Sequence, residues 1–416
     1  MTILKQTLII GAGHAGSEAA VSLRQGGYDG SIILIGNEAG LPYQRPPLSK
    51  AYLSGAVRIE DLPIRPAAAY EKAGIELRSE TVATRIDITA KQIELGDGSR
   101  LPYSSLILAT GSRARPLPLG GIGISLPQNL HYLRSRADAD QLRGQMQPGR
   151  RLTIVGGGYI GLEVAAAAKH AGLTVTVLEA MPRLLARVTA SEVSAFYEHE
   201  HRAAGIDLRL NGQLEHLKLD ASGQRVEALV CADGNVIATD LVLVGIGGQP
   251  NTELAEQAGM AVDNGILVDE FTRTSAPDVY AVGDCSNHPS AFYSRRLRLE
   301  SIPNAIEQAR AAAATINGRP QAYQSVPWFW SDQYDLKLQI SGLNQGFDQV
   351  VIRGNPSLRS FTAFYLSQGR LIAADCINRQ QEFMAVKKLV LSGYAGAAAA
   401  LADESVSLKD FAALHT

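Results

Sequence analysis

Thr7-Leu-Ile-Ile-Gly11-Ala-Gly13-His-Ala-Gly16-Ser-Glu18 decides the fold of this 416-residue chain. An apolar strand-type run leads into Gly-x-Gly-x-x-Gly and a helix pattern follows, the context in which this fingerprint carries weight. The first glycine permits the tight turn, the second admits a pyrophosphate against the backbone, and the third lets helix pack on strand. N–H groups at the positive end of the helix then hold the phosphates. The pattern recurs as Thr153-Ile-Val-Gly156-Gly-Gly158-Tyr-Ile-Gly161-Leu-Glu163. Two such sites imply two dinucleotides, and the reason to hold both is to pass a hydride from a nicotinamide to a flavin.

Working outward, residues 7–10 and 31–35 read as strands around a helix at 14–25, a βαβ unit. Leu41-Pro-Tyr-Gln-Arg-Pro-Pro-Leu-Ser-Lys50 follows, a proline-stiffened loop not expected to be regular structure. Leu106-Ile-Leu-Ala-Thr-Gly111 reads as a short buried strand ending in glycine, and the Pro/Gly-rich stretch 114–129 as a linker. A second βαβ unit begins at Arg151 and runs through Leu173-Thr-Val-Thr-Val-Leu-Glu179. Leu241-Val-Leu-Val-Gly-Ile-Gly247 mirrors the ending at Gly111, and Val279-Tyr-Ala-Val-Gly-Asp284 is another strand running into a loop. From about Ser325 the composition changes to aromatics and alternating patterns (Lys337-Leu-Gln-Ile, Gln349-Val-Val-Ile), then a helix from about Gln380. This last part reads as a separate α+β domain.

Composition agrees with a soluble globular enzyme of two or three domains: 46% of residues are apolar and 19% charged. The net charge of −2 gives no reason to expect nucleic acid, so any charged docking face must be local. No charged-then-apolar segment opens the chain, so no signal peptide is expected. No apolar run reaches the roughly 18–20 residues that span a bilayer, and a cytoplasmic location is expected. Cys231, Cys285 and Cys376 stand apart, with no zinc or iron–sulfur spacing, and read as packed thiols. His199 and His201 are two apart, point in different directions on a helix, and read as solvated; no metal site is expected.

A resemblance now rests on particular residues. The two fingerprints, Ala109-Thr-Gly111 and Thr272-Arg-Thr-Ser-Ala-Pro-Asp-Val-Tyr-Ala-Val-Gly-Asp284 look like the pattern of two-dinucleotide flavoprotein reductases. Pro46-Pro-Leu-Ser-Lys50, Tyr159-Ile-Gly-Leu-Glu163, Ser194-Ala-Phe-Tyr-Glu-His199 and Pro327-Trp-Phe-Trp-Ser-Asp-Gln-Tyr334 narrow it. Over essentially the whole chain the sequence resembles the NADH-dependent ferredoxin reductases of bacterial oxygenase systems. The resemblance implies an α/β protein with two Rossmann-like dinucleotide-binding domains, a glutathione-reductase-like fold, plus a C-terminal α+β domain. The expected boundaries are 1–115 and 245–325 for a discontinuous FAD domain, 116–244 for an NAD domain and 326–416 for the C-terminal domain.

The first site is then expected to hold FAD. Gly11, Gly13, Ala15 and Gly16 would contact its pyrophosphate, with His14 beside them, and Asn37 or Glu38 would bind the adenosine ribose. Asp284 matches the family aspartate that bonds the ribityl chain. Ala83, Ala109, Thr110, Gly111, Arg134, Ile302 and Trp330 match positions lining the cofactors; without the resemblance Arg134 reads as an ordinary surface arginine. A helix after Ser301-Ile302-Pro303 could turn its positive end toward reduced flavin. The second site is expected to hold NADH through Gly156, Gly158, Tyr159, Ile160, Gly161 and Gly247. Glu179 ends the second strand where an acid grips both ribose hydroxyls and repels a 2′-phosphate. Arg183 and Arg187 follow a little later, so NADPH stays open. By resemblance, Lys50 lies beside the flavin's reactive nitrogen and Glu163 reaches it from the NAD domain. A lysine and a carboxylate there would hold charge where hydride transfer develops it.

Related disulfide reductases and peroxidases need a cysteine close to the flavin, and the stretch 37–60 has none. Reduced flavin is therefore expected to hand electrons outside the chain, in two single-electron steps, to a 2Fe-2S ferredoxin. That carrier would feed a cytochrome P-450 or a Rieske oxygenase. Ferredoxins are usually acidic, and Arg65, Arg310, Lys387 and Lys409 are the docking candidates. Arg295, Arg296, Arg298 and Lys388 read as solvated, and Trp328 and Trp330 either lie between flavin and surface or anchor the C-terminal core. An NADH oxidase or small-acceptor (quinone) reductase of the same fold is the alternative, and a monomer or weak dimer is expected.

Overall fold

The computed structural model describes residues 5–118 and 126–415. Of the stretch 114–129 read as a linker, residues 119–125 lie outside the described residues. The chain forms two compact units, one comprising the chain up to Gln44, Ile59–Arg113 and Gly248–Pro327, the other Arg45–Arg58, Ala114–Gly247 and the chain from Trp328 onward.

In the first unit the fingerprint strand Gln6–Ile10 lies at the centre of a parallel sheet. Ser31–Ile35 and then Ile75–Arg78 lie on one side, Ser105–Leu108 and then Val279–Ala281 on the other. Its apolar residues are buried on both faces, as a parallel sheet covered by helices requires. The helices His14–Gln25 and Ile302–Ile316 pack together through small residues: Ala19, Ala20, Ala309 and Ala312 are fully buried. Ser301 caps the second of these helices by accepting the Asn304 N–H, and Pro303 sits in its first turn, as its sequence suggested.

The second unit repeats the arrangement. Arg151–Val155 is central, flanked by Thr174–Leu178 and Asp207–Arg209 on one side and Leu241–Val244 and Leu130–His131 on the other, all parallel. It also contains a five-stranded antiparallel sheet in the order Trp328–Gln333, Leu336–Gly342, Arg370–Ile377, Ser360–Ser367, Gln349–Asn355. The helix Phe383–Ser392 follows it, so the α+β reading of this region holds.

Three local readings need correction. Residues Pro46–Ser49 form a 3₁₀ turn rather than irregular loop, because two prolines preset its backbone and Leu48 is buried. His201 is not solvated. On the helix Ser191–Ala203 the residues Val193, Phe196, Tyr197 and His201 share one buried face, and Phe196 packs edge-on against Phe361 of the antiparallel sheet at 5.2 Å. Of the two histidines, His199 is the exposed one. Arg298 is also not solvated: its side chain is 12% exposed and its guanidinium pairs with Glu300 at 2.6 Å.

Candidate active site

Each glycine of the two fingerprints meets a different local demand. Gly11 has a φ of +113°, and a Cβ there would fall 2.1 Å from the Ala109 carbonyl oxygen. Gly156 has a φ of +111°, and its Cβ would fall 2.4 Å from the Gly245 carbonyl oxygen. At the third glycines a Cβ would strike backbone again: Gly16 at 1.9 Å from the Gly11 oxygen, Gly161 at 2.3 Å from the Gly156 oxygen. Gly13 and Gly158 differ, for a Cβ at either would meet nothing within 4 Å. Both are helix N-caps, neither helix has a side-chain cap, and neither has an acid in its first turn. Tight turn, open middle and close helix–strand contact therefore occur twice, which is the arrangement a pyrophosphate needs. The residues fit two dinucleotides.

The acids at the strand ends are held by different means. Glu179 Oε2 accepts the Gly157 N–H at 2.6 Å and its Oε1 accepts the Met181 N–H at 2.7 Å. Glu38 accepts from the Tyr43 hydroxyl at 2.6 Å, while Asn37 is exposed. Asp284 stands in the 3₁₀ turn Gly283–Cys285, where the Ser112 hydroxyl donates to it at 2.9 Å. That turn is fastened by Gln308, fully buried, whose Oε1 accepts from the Gly283 N–H at 2.7 Å and the Ser286 hydroxyl at 2.8 Å. Gly283 has a φ of +78°, and a Cβ there would come within 3.1 Å of the Ala15 Cβ.

Lys50 and Glu163 meet inside the second unit. Lys50 Nζ lies 2.7 Å from Glu163 Oε2, with the lysine side chain 17% exposed and the glutamate 4%. Ser49 donates to the same oxygen at 2.5 Å and Ser331 donates to Oε1 at 2.6 Å. A buried carboxylate with three donors holds a fixed orientation, and its charge is matched by the lysine. Tyr159, in the first turn of the same helix as Glu163, packs edge-on against Phe329 at 5.2 Å.

The remaining expected residues lie as follows. Ala83 and Ala109 are buried, and the Thr110 hydroxyl donates to the Asn251 carbonyl at 2.7 Å. Gly111 and Gly247 both have positive φ, +68° and +114°, in the turns that end corresponding strands. His14 opens the first helix, and Ile302 opens the helix Ile302–Ile316. The Arg134 carbonyl accepts from Arg45 at 2.8 Å, Ile160 is exposed, and Trp330 tilts against Trp328 at 5.8 Å. Of the docking candidates, Arg65 and Arg310 both bind Glu18, at 2.5 and 2.8 Å, Lys387 stands over the Trp328 ring at 5.1 Å, and Lys409 is exposed. Burial raises the Glu18 pKa, but the two guanidinium groups more than offset it and hold the carboxyl below its usual range.

Ser49, Ser331 and Gln308 were not singled out from the sequence. The serines stand within the motifs Pro-Pro-Leu-Ser-Lys50 and Trp-Phe-Trp-Ser-Asp-Gln-Tyr334, and these carried the only available signal. The three cysteines are buried and unpaired. Cys285 Sγ faces the Leu108 and Val282 carbonyls, and burial raises its pKa, so it is an inert thiol.

Residues 5–309 match the family model described as pyridine nucleotide-disulphide oxidoreductase and residues 328–412 that described as reductase C-terminal; the chain belongs to this oxidoreductase family. FAD and NAD(P)H are the cofactors that membership implies. The chain is 44% identical to putidaredoxin reductase of Pseudomonas putida over 98% of its own length and 96% of that protein. Rhodocoxin reductase of Rhodococcus erythropolis is 43% identical, over 98% of this chain and 94% of that one. Among solved structures, the covalent putidaredoxin reductase–putidaredoxin complex matches with a TM-score of 0.96 at 44% identity, covering 99% of both chains. The ferredoxin reductase of the CYP199A2 system from Rhodopseudomonas palustris matches at 0.94 and 42%, covering 98% of this chain and 100% of that one. The resemblance read from the sequence holds.

Proposed function

We propose that this protein is an FAD-dependent NADH:ferredoxin reductase of an oxygenase system. FAD, when bound, would supply two-electron acceptance from NADH and one-electron delivery to a 2Fe-2S protein. The reading rests chiefly on the doubled glycine geometry joined to a chain without any thiol pair that could take those electrons internally. Gly11, Gly13 and Gly16 would hold the FAD pyrophosphate, Glu38 its ribose and Asp284 its ribityl chain. Gly156, Gly158 and Gly161 would hold NADH, with Glu179 on the adenosine ribose. Arg183 favours NADH over NADPH: its guanidinium is spent on the Thr189 and Ala186 carbonyls and the Ser194 hydroxyl, at 2.7–2.9 Å. Lys50 and Glu163 are read as a charged pair, the lysine toward the flavin as it becomes electron-rich and the glutamate toward the nicotinamide as it becomes cationic; neither needs to exchange a proton. Arg65, Arg310, Lys387 and Lys409 are read as the steering charges for an acidic carrier.

Anaerobic titration with NADH should bleach the yellow protein, and stopped-flow mixing with a 2Fe-2S ferredoxin should restore the colour in two one-electron steps. Fast oxygen consumption with NADH alone, or cytochrome c reduction indifferent to added ferredoxin, would instead support the oxidase or small-acceptor alternative.

A further inference from the structure

Glu163 terminates a hydrogen-bonded series that runs through the second unit to its surface. A serine hydroxyl has one proton, and a carboxylate paired with a lysine offers only acceptors, so the Ser331 proton is committed to Glu163 Oε1 at 2.6 Å. Ser331 must then accept from its other neighbour, and Gln333 Nε2 donates to it at 3.2 Å. With the amide nitrogen so used, Gln333 Oε1 is what faces His201 Nε2 at 2.8 Å, and that ring nitrogen carries the proton. His201 Nδ1 is left to accept from the Tyr334 hydroxyl at 3.0 Å.

Every donor in the series therefore points toward Glu163. Ser331, Gln333 and His201 are fully buried, and Tyr334, 36% exposed, reaches solvent. The amide in the middle does not relay protons as a hydroxyl or imidazole does, so the series orients rather than conducts. Burial pushes the imidazole of His201 down to about 4, which keeps it neutral. The charges nearest its outer end are mutually paired: Arg359 binds Glu200 at 3.0 Å and Asp335 at 2.5 Å.

We propose that His201 and Gln333 are positioning residues for Glu163: acting through Ser331, they commit one donor to Oε1 and so fix the carboxylate with Oε2 toward Lys50. This rests on the reading of Lys50 and Glu163 as the charged pair that serves flavin and nicotinamide.

Two readouts test it on the flavin-loaded protein. In histidine labelled with nitrogen-15, His201 should show the Nε2–H tautomer between about pH 6 and 8. The Nδ1–H tautomer overturns the series without any substitution. In stopped-flow bleaching by NADH, His201→Phe should lower the limiting rate roughly five- to tenfold, with half-saturating NADH unchanged. His201→Gln, whose amide nitrogen falls near the imidazole Nε2 position, should recover to within about twofold, whereas His201→Asn, which reaches only the Nδ1 position, should not. Equal losses in all three variants mean a packing role and overturn the proposal. Glu163→Gln separates this from the underlying reading. If it bleaches at the wild-type rate, the charged-pair reading fails and takes the catalytic consequence with it, while the tautomer still reports the series. If it slows and His201→Phe does not, positioning alone fails.

Discussion

Glu179, proposed as the ligand of the NADH ribose, is oriented by two backbone N–H groups of its own unit. Glu179→Ala should raise half-saturating NADH roughly tenfold, the scale of a lost hydrogen bond to charge. NADPH should gain nothing from Arg183, which is already engaged; initial rates against both nucleotides measure this. This acid was readable from the sequence because it directly follows a strand. Asp375 was not readable. It is 1% exposed in the strand Arg370–Ile377, where Tyr365 and Thr189 donate to one of its oxygens. Burial raises its pKa from 3.8 to about 6, against the opposing pull of those two hydroxyls. A carboxyl that ionises later when folded contributes stability fully present below about pH 4 and lost as pH rises through about 6. The loss is on the order of 2–3 kcal/mol. Asp375→Asn cannot ionise, so urea midpoints should move in its favour, relative to wild type, across that interval. A constant gap at all pH values would refute it.

At the scale of elements, the glycine turns were legible because backbone sterics impose them locally: a Cβ at Gly16 or Gly161 would collide with the turn before it. The same holds for the helix start at Ser301-Ile302-Pro303, where cap and proline act within a few residues. His201 was misread because its helix buries a face against a sheet formed far downstream, which no local pattern announces. The turn carrying Asp284 depends likewise on a distant side chain, Gln308. Gln308→Leu leaves the Gly283 N–H without its acceptor and the Ser286 hydroxyl with the Gly283 carbonyl alone, at a cost of about 1–3 kcal/mol. The expected result is a lower melting temperature together with faster loss of flavin on dilution, read from released fluorescence. A lower melting temperature with flavin retention unchanged would mean that the turn does not serve the cofactor.

For the molecule as a whole, chain order and spatial grouping diverge. Residues 45–58, embedded in the sequence of the first unit, belong to the second, and so Lys50 and Glu163 share one body. From the sequence alone this stretch falls within 1–115, the expected FAD domain, with only the motif around Lys50 to go on. Charge is similarly nonuniform: Arg65 and Arg310 divide a single Glu18, whereas Lys387 stands over the Trp328 ring and Lys409 is exposed. Lys387→Glu should raise the ferredoxin KM several-fold and flatten its salt dependence, leaving ferricyanide reduction unchanged. Arg310→Glu should do the same and additionally lower the melting temperature, since it sets a second acid beside Glu18. Among the described residues no helix is long and apolar enough to cross a membrane. The vacant space around Gly13 and Gly158, both in extended backbone that alanine tolerates, gives the experimenter two independent switches. A methyl group at the first should yield a folded but colourless protein. At the second it should yield one that stays yellow in NADH yet still bleaches with dithionite, so that loading and fuelling are uncoupled by one carbon atom each.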